Sequence, residues 1–261
     1  MGQLPTEILG WYFHLPVFAL VVSRIAGALA FVPLIGGVAV PSNLRAVLAL
    51  ALALLAAPLV RAPAAAPDTP LGLALALAGE WCIGALLGLV LMLAFLALQM
   101  GGLLIAQESG LAFNTLLDPT TEHEESVVSV FYLQVAGVVF LLVGGHREII
   151  RATLDTFEHI PLLGAHQLLT HGPGLLFDAL AMGLELALRI AAPTVLTLFL
   201  VNMALGFVAR TVPQLNVITI GFALKGLVSF VVIAVTLPIA MTAFTDGLEW
   251  VVRWIETLHA A

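Results

Sequence analysis

The sequence predicts an all-α integral membrane protein of about six long, partly kinked helices arranged as hairpins, with a short amphipathic helix at the C-terminus. Three observations carry that expectation. Of 261 residues, 61% are apolar or aromatic and only 10% are Asp, Glu, Lys or Arg, against roughly 25% charged in ordinary soluble domains. The mean hydropathy is +1.13, the reverse of the low hydrophobicity and high charge that keep a chain disordered. Stretches free of Asp, Glu, Lys and Arg recur at 25–44, 46–60, 81–107, 126–146, 190–209 and 226–245, most of them near the roughly 17 to 25 residues that span a bilayer. A soluble enzyme of this composition would lack the charge to cover its surface.

Each element follows from its punctuation. The first 14 residues contain no Lys or Arg, so the basic region that opens a secretory signal is missing and the N-terminus reads as retained. The second apolar stretch, short for a span, is closed by Pro63, Pro67, Asp68 and Pro70. The third begins near Leu71 and continues to about Ala106. At about 1.5 Å per residue it would be roughly 54 Å long against a hydrocarbon core of about 30 Å, so it must tilt, break or project. Residues 127–158 form the other arm of a long helical hairpin whose turn is 107–126. Gly172-Pro173-Gly174 precedes the fifth element, and Pro193 and Pro238 lie inside apolar segments, where each removes a backbone hydrogen bond and kinks its helix. Leu248, Val251, Val252, Ile255 and Leu258 fall at helical spacing, which makes 246–258 an amphipathic helix. Trp250 and Trp254 suit an interface. No domain boundary interrupts 1–261. Arg61, Arg147, Arg151 and Arg253 on one side, against Arg45 and Arg210 on the other, place both termini in the cytoplasm by the positive-inside rule.

Catalytic chemistry finds no foothold. His123-Glu124-Glu125 and His146-Arg147-Glu148 lack the second His of a zinc-binding helix, since position 127 is Val and position 150 is Ile. No phosphate-cradling loop with a lysine is present, so no catalytic, metal or cofactor site is expected. The net charge is −7, and no stretch clusters basic with aromatic residues as a nucleic-acid surface would. The single cysteine, Cys82, sits in an apolar run and reads as a small buried hydrophobe.

Ionisable residues inside apolar segments are costly in lipid and mark functional or packing positions. Here they are Arg24, Glu80, Glu185, Arg189 and Lys225. Glu185 and Arg189 stand one helical turn apart and can pair, and Gly84 with Gly88 forms a small-residue face that permits close helix packing. The loop 107–126 is the most unusual stretch. It carries Glu108, Asp118, Glu122, Glu124 and Glu125 without one Lys or Arg, yet its middle holds Leu111, Phe113, Leu116 and Leu117. Gly110 and Asp118-Pro119 break helix on either side of that patch. On residues alone it is either an obstruction in a pore or an ordinary interface loop. A secondary transporter with Glu185 and Arg189 beside kinks at Pro193 and Pro238 is a different class. It predicts paired repeats, yet only the first half has a long hairpin with an acidic loop.

The run Arg210-Thr211-Val212-Pro213-Gln214-Leu215-Asn216-Val217, followed by Gly221 and Lys225, resembles the signature of the FliR family of flagellar export-gate proteins and of its virulence counterpart SctT. Further matches are Arg24 with Pro33, Gly36, Pro41 and Arg45; Glu80 with Gly84 and Gly88; Gly102, Gln107, Gly110 and Asp118-Pro119; and Phe157 with Pro161. The likeness covers about 15–245. It departs at Ile218 to Ile220 and at Ala223, where the family pattern has an aromatic and a proline.

The resemblance implies a multi-pass, non-enzymatic component of the bacterial inner membrane and flagellar basal body, without a cofactor. It would assemble with FliP-like and FliQ-like subunits, contact FlhB, and help pass unfolded export substrates. Tilted hairpins around a pore would account for the over-long third element. Arg24, Glu80, Glu185, Arg189, Arg210, Pro213, Gln214, Asn216 and Lys225 would face neighbouring subunits. Residues 107–126 would plug the closed pore, with Leu111, Phe113, Leu116, Leu117 and Asp118 in the plug.

Overall fold

The computed structural model describes residues 6–33, 40–61, 67, 69–111, 126–164, 166–211 and 217–258. Among them are seven helices and no strand: α1 (Thr6–Phe31), α2 (Ser42–Ala56), α3 (Pro70–Ser109), α4 (Val127–Val143), α5 (Gly145–His159), α6 (His166–Thr211) and α7 (Val217–Leu258). Three of them, α3, α6 and α7, are long and apolar enough to cross a membrane, and α4 with α5 would count as a fourth span if the bent pair is one.

Local signals explain most helix ends. Pro70 opens α3 at a position where its missing N–H is not needed, and the Thr69 hydroxyl accepts the Gly72 N–H at 3.1 Å. Ser126 caps α4 by accepting the Ser129 N–H at 3.0 Å. Gly144 separates α4 from α5 with a left-handed φ of 82°, and nothing lies within 4 Å of where its Cβ would be. Glycine is needed there for the backbone angle and not for space.

Charge-free runs, by contrast, misplace several boundaries. α1 begins at Thr6 and runs straight through Arg24, because the charge is neutralised inside the chain. Gly172-Pro173-Gly174, read as a loop before the fifth element, lies inside α6, which starts at His166; a proline near a helix start costs one backbone bond without stopping the turn. The arm expected over 127–158 is two helices, α4 and α5. The C-terminal stretch 246–258 continues α7 without a break. Cys82 is exposed on α3, not buried, because it stands on the opposite side of the helix from the Glu80 and Gly84 positions that meet α1.

The chain divides into two compact units, each drawn from separate stretches. The first comprises Met1–Leu93, Gly144–Leu180 and Trp250–Ala261, the second Ala94–Val143 and Ala181–Glu249. In the first, α2 offers α1 a stripe of alanines, Ala49, Ala53 and Ala56, and the core gathers Leu20, Val21, Ile25, Leu29, Phe157 and Leu162. The most polar helix, α5, buries Ile149, Ala152, Thr153, Thr156 and Phe157 at helical spacing. Its Arg147, Glu148, Arg151 and Glu158 stay exposed. In the second unit, Phe95 meets Phe140 and Phe244 edge-on, with ring centroids 5.4 and 5.0 Å apart. Gly102 lets α3 come so near α4 that a Cβ there would stand 2.7 Å from the Ser129 Cα.

Candidate functional site: charges inside the helices and the roots of the acidic loop

Arg24 of α1 and Glu80 of α3 are both fully buried. Two guanidinium nitrogens of Arg24, Nε and Nη2, each lie 2.6 Å from Glu80 Oε2. The third, Nη1, donates to the Thr156 and Ile160 carbonyls at 3.1 and 2.9 Å, placing a cation on the last carbonyls of α5, where the helix is partly negative. The other carboxylate oxygen, Oε1, accepts the Leu163 N–H at 2.8 Å. Leu163 has φ 72°, a left-handed angle that a leucine adopts at a cost, and the carboxylate offsets that strain. The Phe157 ring covers the guanidinium at 4.4 Å, within cation–π range. The pair therefore ties α1, α3 and the turn after α5 together.

The sequence pattern of α3 makes this reach possible. Glu80, Gly84 and Gly88 share one stripe at i, i+4 and i+8. A Cβ on Gly84 would overlap the Arg24 carbonyl and come 2.8 Å from the Ala28 N. Gly27 on α1 returns the arrangement, with the Ala85 N only 2.9 Å from its own missing Cβ. Backbone meets backbone, and the short glutamate can touch arginine without an intervening water. Both residues were expected to face neighbouring subunits; the structure turns them inward to each other.

Glu185 and Arg189 form the ion pair their spacing predicts, with Arg189 Nη2 2.6 Å from Glu185 Oε1. It stands on the surface of α6, with side chains 69% and 58% exposed, among exposed Leu184 and Leu188. Arg210 is exposed in the last turn of α6. Lys225 is half-buried on α7 with its ammonium 5.8 Å from the Phe222 ring centroid. Pro213, Gln214 and Asn216 lie outside the described residues, as do Phe113, Leu116, Leu117 and Asp118.

Both roots of the acidic loop are described. Gly110 ends α3 with φ 79°, as its sequence position leads one to expect. Its amide bonds the Gln107 carbonyl at 3.3 Å, and Leu111, half-buried, donates its N–H to Ser109 Oγ at 3.4 Å. The return is fixed by the Ser126 cap on α4. Sequence reasoning missed the partners of Arg24 and Glu80, since Thr156 and Ile160 lie 132 and 136 residues beyond Arg24. It also missed Phe222, for which the only available signal was its i,i+3 spacing from Lys225. No three His, Cys, Asp or Glu side chains converge as metal ligands among the described residues.

The bacterial export proteins, family 1, match residues 15–250 of this sequence. The chain belongs to this family. The flagellar biosynthetic protein FliR of Bacillus subtilis (strain 168) is 30% identical over 247 residues, covering 94% of this chain and 95% of that protein. FliR of Pectobacterium carotovorum subsp. carotovorum is 34% identical over 172 residues, covering 62% and 64%. The secretion system apparatus protein SsaT of Salmonella typhimurium is 25% identical over 172 residues, covering 62% and 63%. An export-family protein with several long apolar helices is a membrane component of a secretion apparatus and not an enzyme.

Proposed function

We propose that this chain is a structural, channel-forming component of the flagellar type III export gate, helping to form and close the pore through which unfolded flagellar subunits leave the cytoplasm. The observation that carries this reading is the likeness to a flagellar biosynthetic protein along nearly the whole of both chains. The site of action is the inner membrane at the flagellar basal body, in a complex with FliP-like and FliQ-like subunits and in contact with FlhB. A passage wide enough for an unfolded chain leaks ions unless an apolar constriction closes it at rest. The loop 107–126, greasy in its middle and acidic at its edges, supplies that constriction through Leu111, Phe113, Leu116 and Leu117, with Asp118 at its end. Arg210, Pro213, Gln214, Asn216 and Lys225 position the chain against its partners, and the exposed Glu185–Arg189 pair faces one of them.

The SsaT relative favours a second reading, a virulence secretion gate of the SctT type, with lower identity and shorter coverage. Flagellin or needle genes beside this one would choose between them. The test of the gate itself is assembly and leak. Co-expression with the FliP-like and FliQ-like proteins should yield one discrete hetero-oligomer by native mass spectrometry, and a chain that runs alone while the other two assemble would sink the proposal. In the assembled complex, deletion of 110–117 should raise ion conductance across a bilayer, and unchanged conductance would count against the plug.

A further inference from the structure

The root of the acidic loop rests on the helix that follows the Arg210-to-Asn216 run. At Gly110 a Cβ would lie 2.7 and 2.8 Å from Cε1 and Cδ1 of the Phe222 ring. The ring is therefore seated against the α-carbon of the residue that ends α3. Two independent demands fall on position 110. The left-handed φ of 79° favours glycine and tolerates asparagine, whereas the ring contact excludes any side chain at all while Phe222 stays in place. Lys225 stands one turn farther along α7 with Nζ 5.8 Å from the ring centroid, within the roughly 6 Å at which a cation is drawn to an aromatic face. On the near side, Ser109 Oγ donates to the Ala106 carbonyl at 3.1 Å and accepts the Leu111 N–H. Lys225, Phe222, Gly110 and Leu111 all belong to the second unit.

We propose that Phe222 is a positioning residue for the resting closure: its ring, held by Lys225, fixes the end of α3 and with it the direction in which Leu111 leaves the helix. The inference rests on the export-gate reading above, in which Leu111 contributes to closure. It gives the chain's one lysine a partner inside the chain and joins the start of α7 to the end of α3.

The experiment uses the assembled complex with its FliP-like and FliQ-like subunits, reconstituted in a planar bilayer, with native mass spectrometry to verify composition. F222A should raise resting ion conductance severalfold at unchanged complex mass. F222L, which keeps bulk but loses the ring, should raise it less, and K225M should leak slightly. G110A alone should leak, and its added leak should be smaller on the F222A background than on the parent, because removing the ring removes the clash and leaves only the cost of the left-handed φ. If F222A destabilises the complex, F222L and K225M carry the same comparison. F222A, F222L and K225M all as tight as the parent, while the 110–117 deletion opens the pore, would overturn this inference and leave the gate reading standing. If the deletion also leaves the pore tight, the gate reading fails and this inference falls with it.

Discussion

Two ion pairs in this chain have the same separation, 2.6 Å, and opposite meanings. Arg24 and Glu80 are joined across 56 residues of sequence, stripped of water, and shared with two carbonyls and an amide. Glu185 and Arg189 are neighbours on one helix and more than half exposed. Distance alone therefore says little about a charge pair; what it holds together, and what replaces water around it, decides its worth. In the buried pair every lone pair and N–H left without its partner is a desolvated charge with nowhere to turn. In the exposed pair either partner can be lost to solvent or to a neighbouring subunit with little strain on the helix.

The comparison breaks most sharply at Arg24. R24A or E80A should cost about 3 to 5 kcal/mol, the usual penalty for orphaning a buried charge, seen as a large loss of folded chain in detergent and of assembled complex. The charge swap R24E with E80R should not rescue it. A simple pair would be restored by exchange, whereas here the Thr156 and Ile160 carbonyls need a donor and the Leu163 N–H needs an acceptor. Rescue by the swap would show that the pair acts through charge alone.

A smaller effect is expected at Gly84, where the approach of α1 and α3 makes the pair possible. G84A forces a methyl group against the Arg24 carbonyl, and overpacking of this kind costs about 1 to 3 kcal/mol. Thermal unfolding of the detergent-solubilised protein measures it; a midpoint equal to the parent's would mean that the helices part freely. The mildest effect belongs to the exposed pair. E185Q should change the stability of the isolated chain by no more than about 0.5 kcal/mol, and the swap E185R with R189E should be tolerated in the same measurement. A flagellar export defect in E185Q at unchanged chain stability would sharpen the contrast, since it would place the exposed pair against a partner.

Legibility in the sequence followed the range of the interaction. α3 could be read to within a few residues because Pro70 and Gly110 punctuate its ends locally, and the Glu185–Arg189 pair followed from one turn of helix. The glycine stripe at Gly84 and Gly88 was visible, and its use, backbone against backbone at Arg24, was not. Arg24 and Glu80 stood out as anomalous charges, but their partnership needs two helices to come together from distant parts of the chain. The same cause misplaced the helix boundaries. Using charges as punctuation assumes that each faces water or headgroups, and Arg24 instead sits inside α1, about two turns before its end. At the loop, the residue pattern located the two roots, whereas the seat of Gly110 on Phe222 depends on where α7 returns.

The buried pair also sets an order of events during synthesis. Arg24 leaves the ribosome 132 and 136 residues ahead of the two carbonyls it will bind. At roughly 5 to 20 residues per second, it waits on the order of ten seconds for them. Glu80 arrives part-way through that interval and can neutralise it before the turn after α5 exists. The first unit draws its last stretch from Trp250–Ala261, so its completion follows that early partnership.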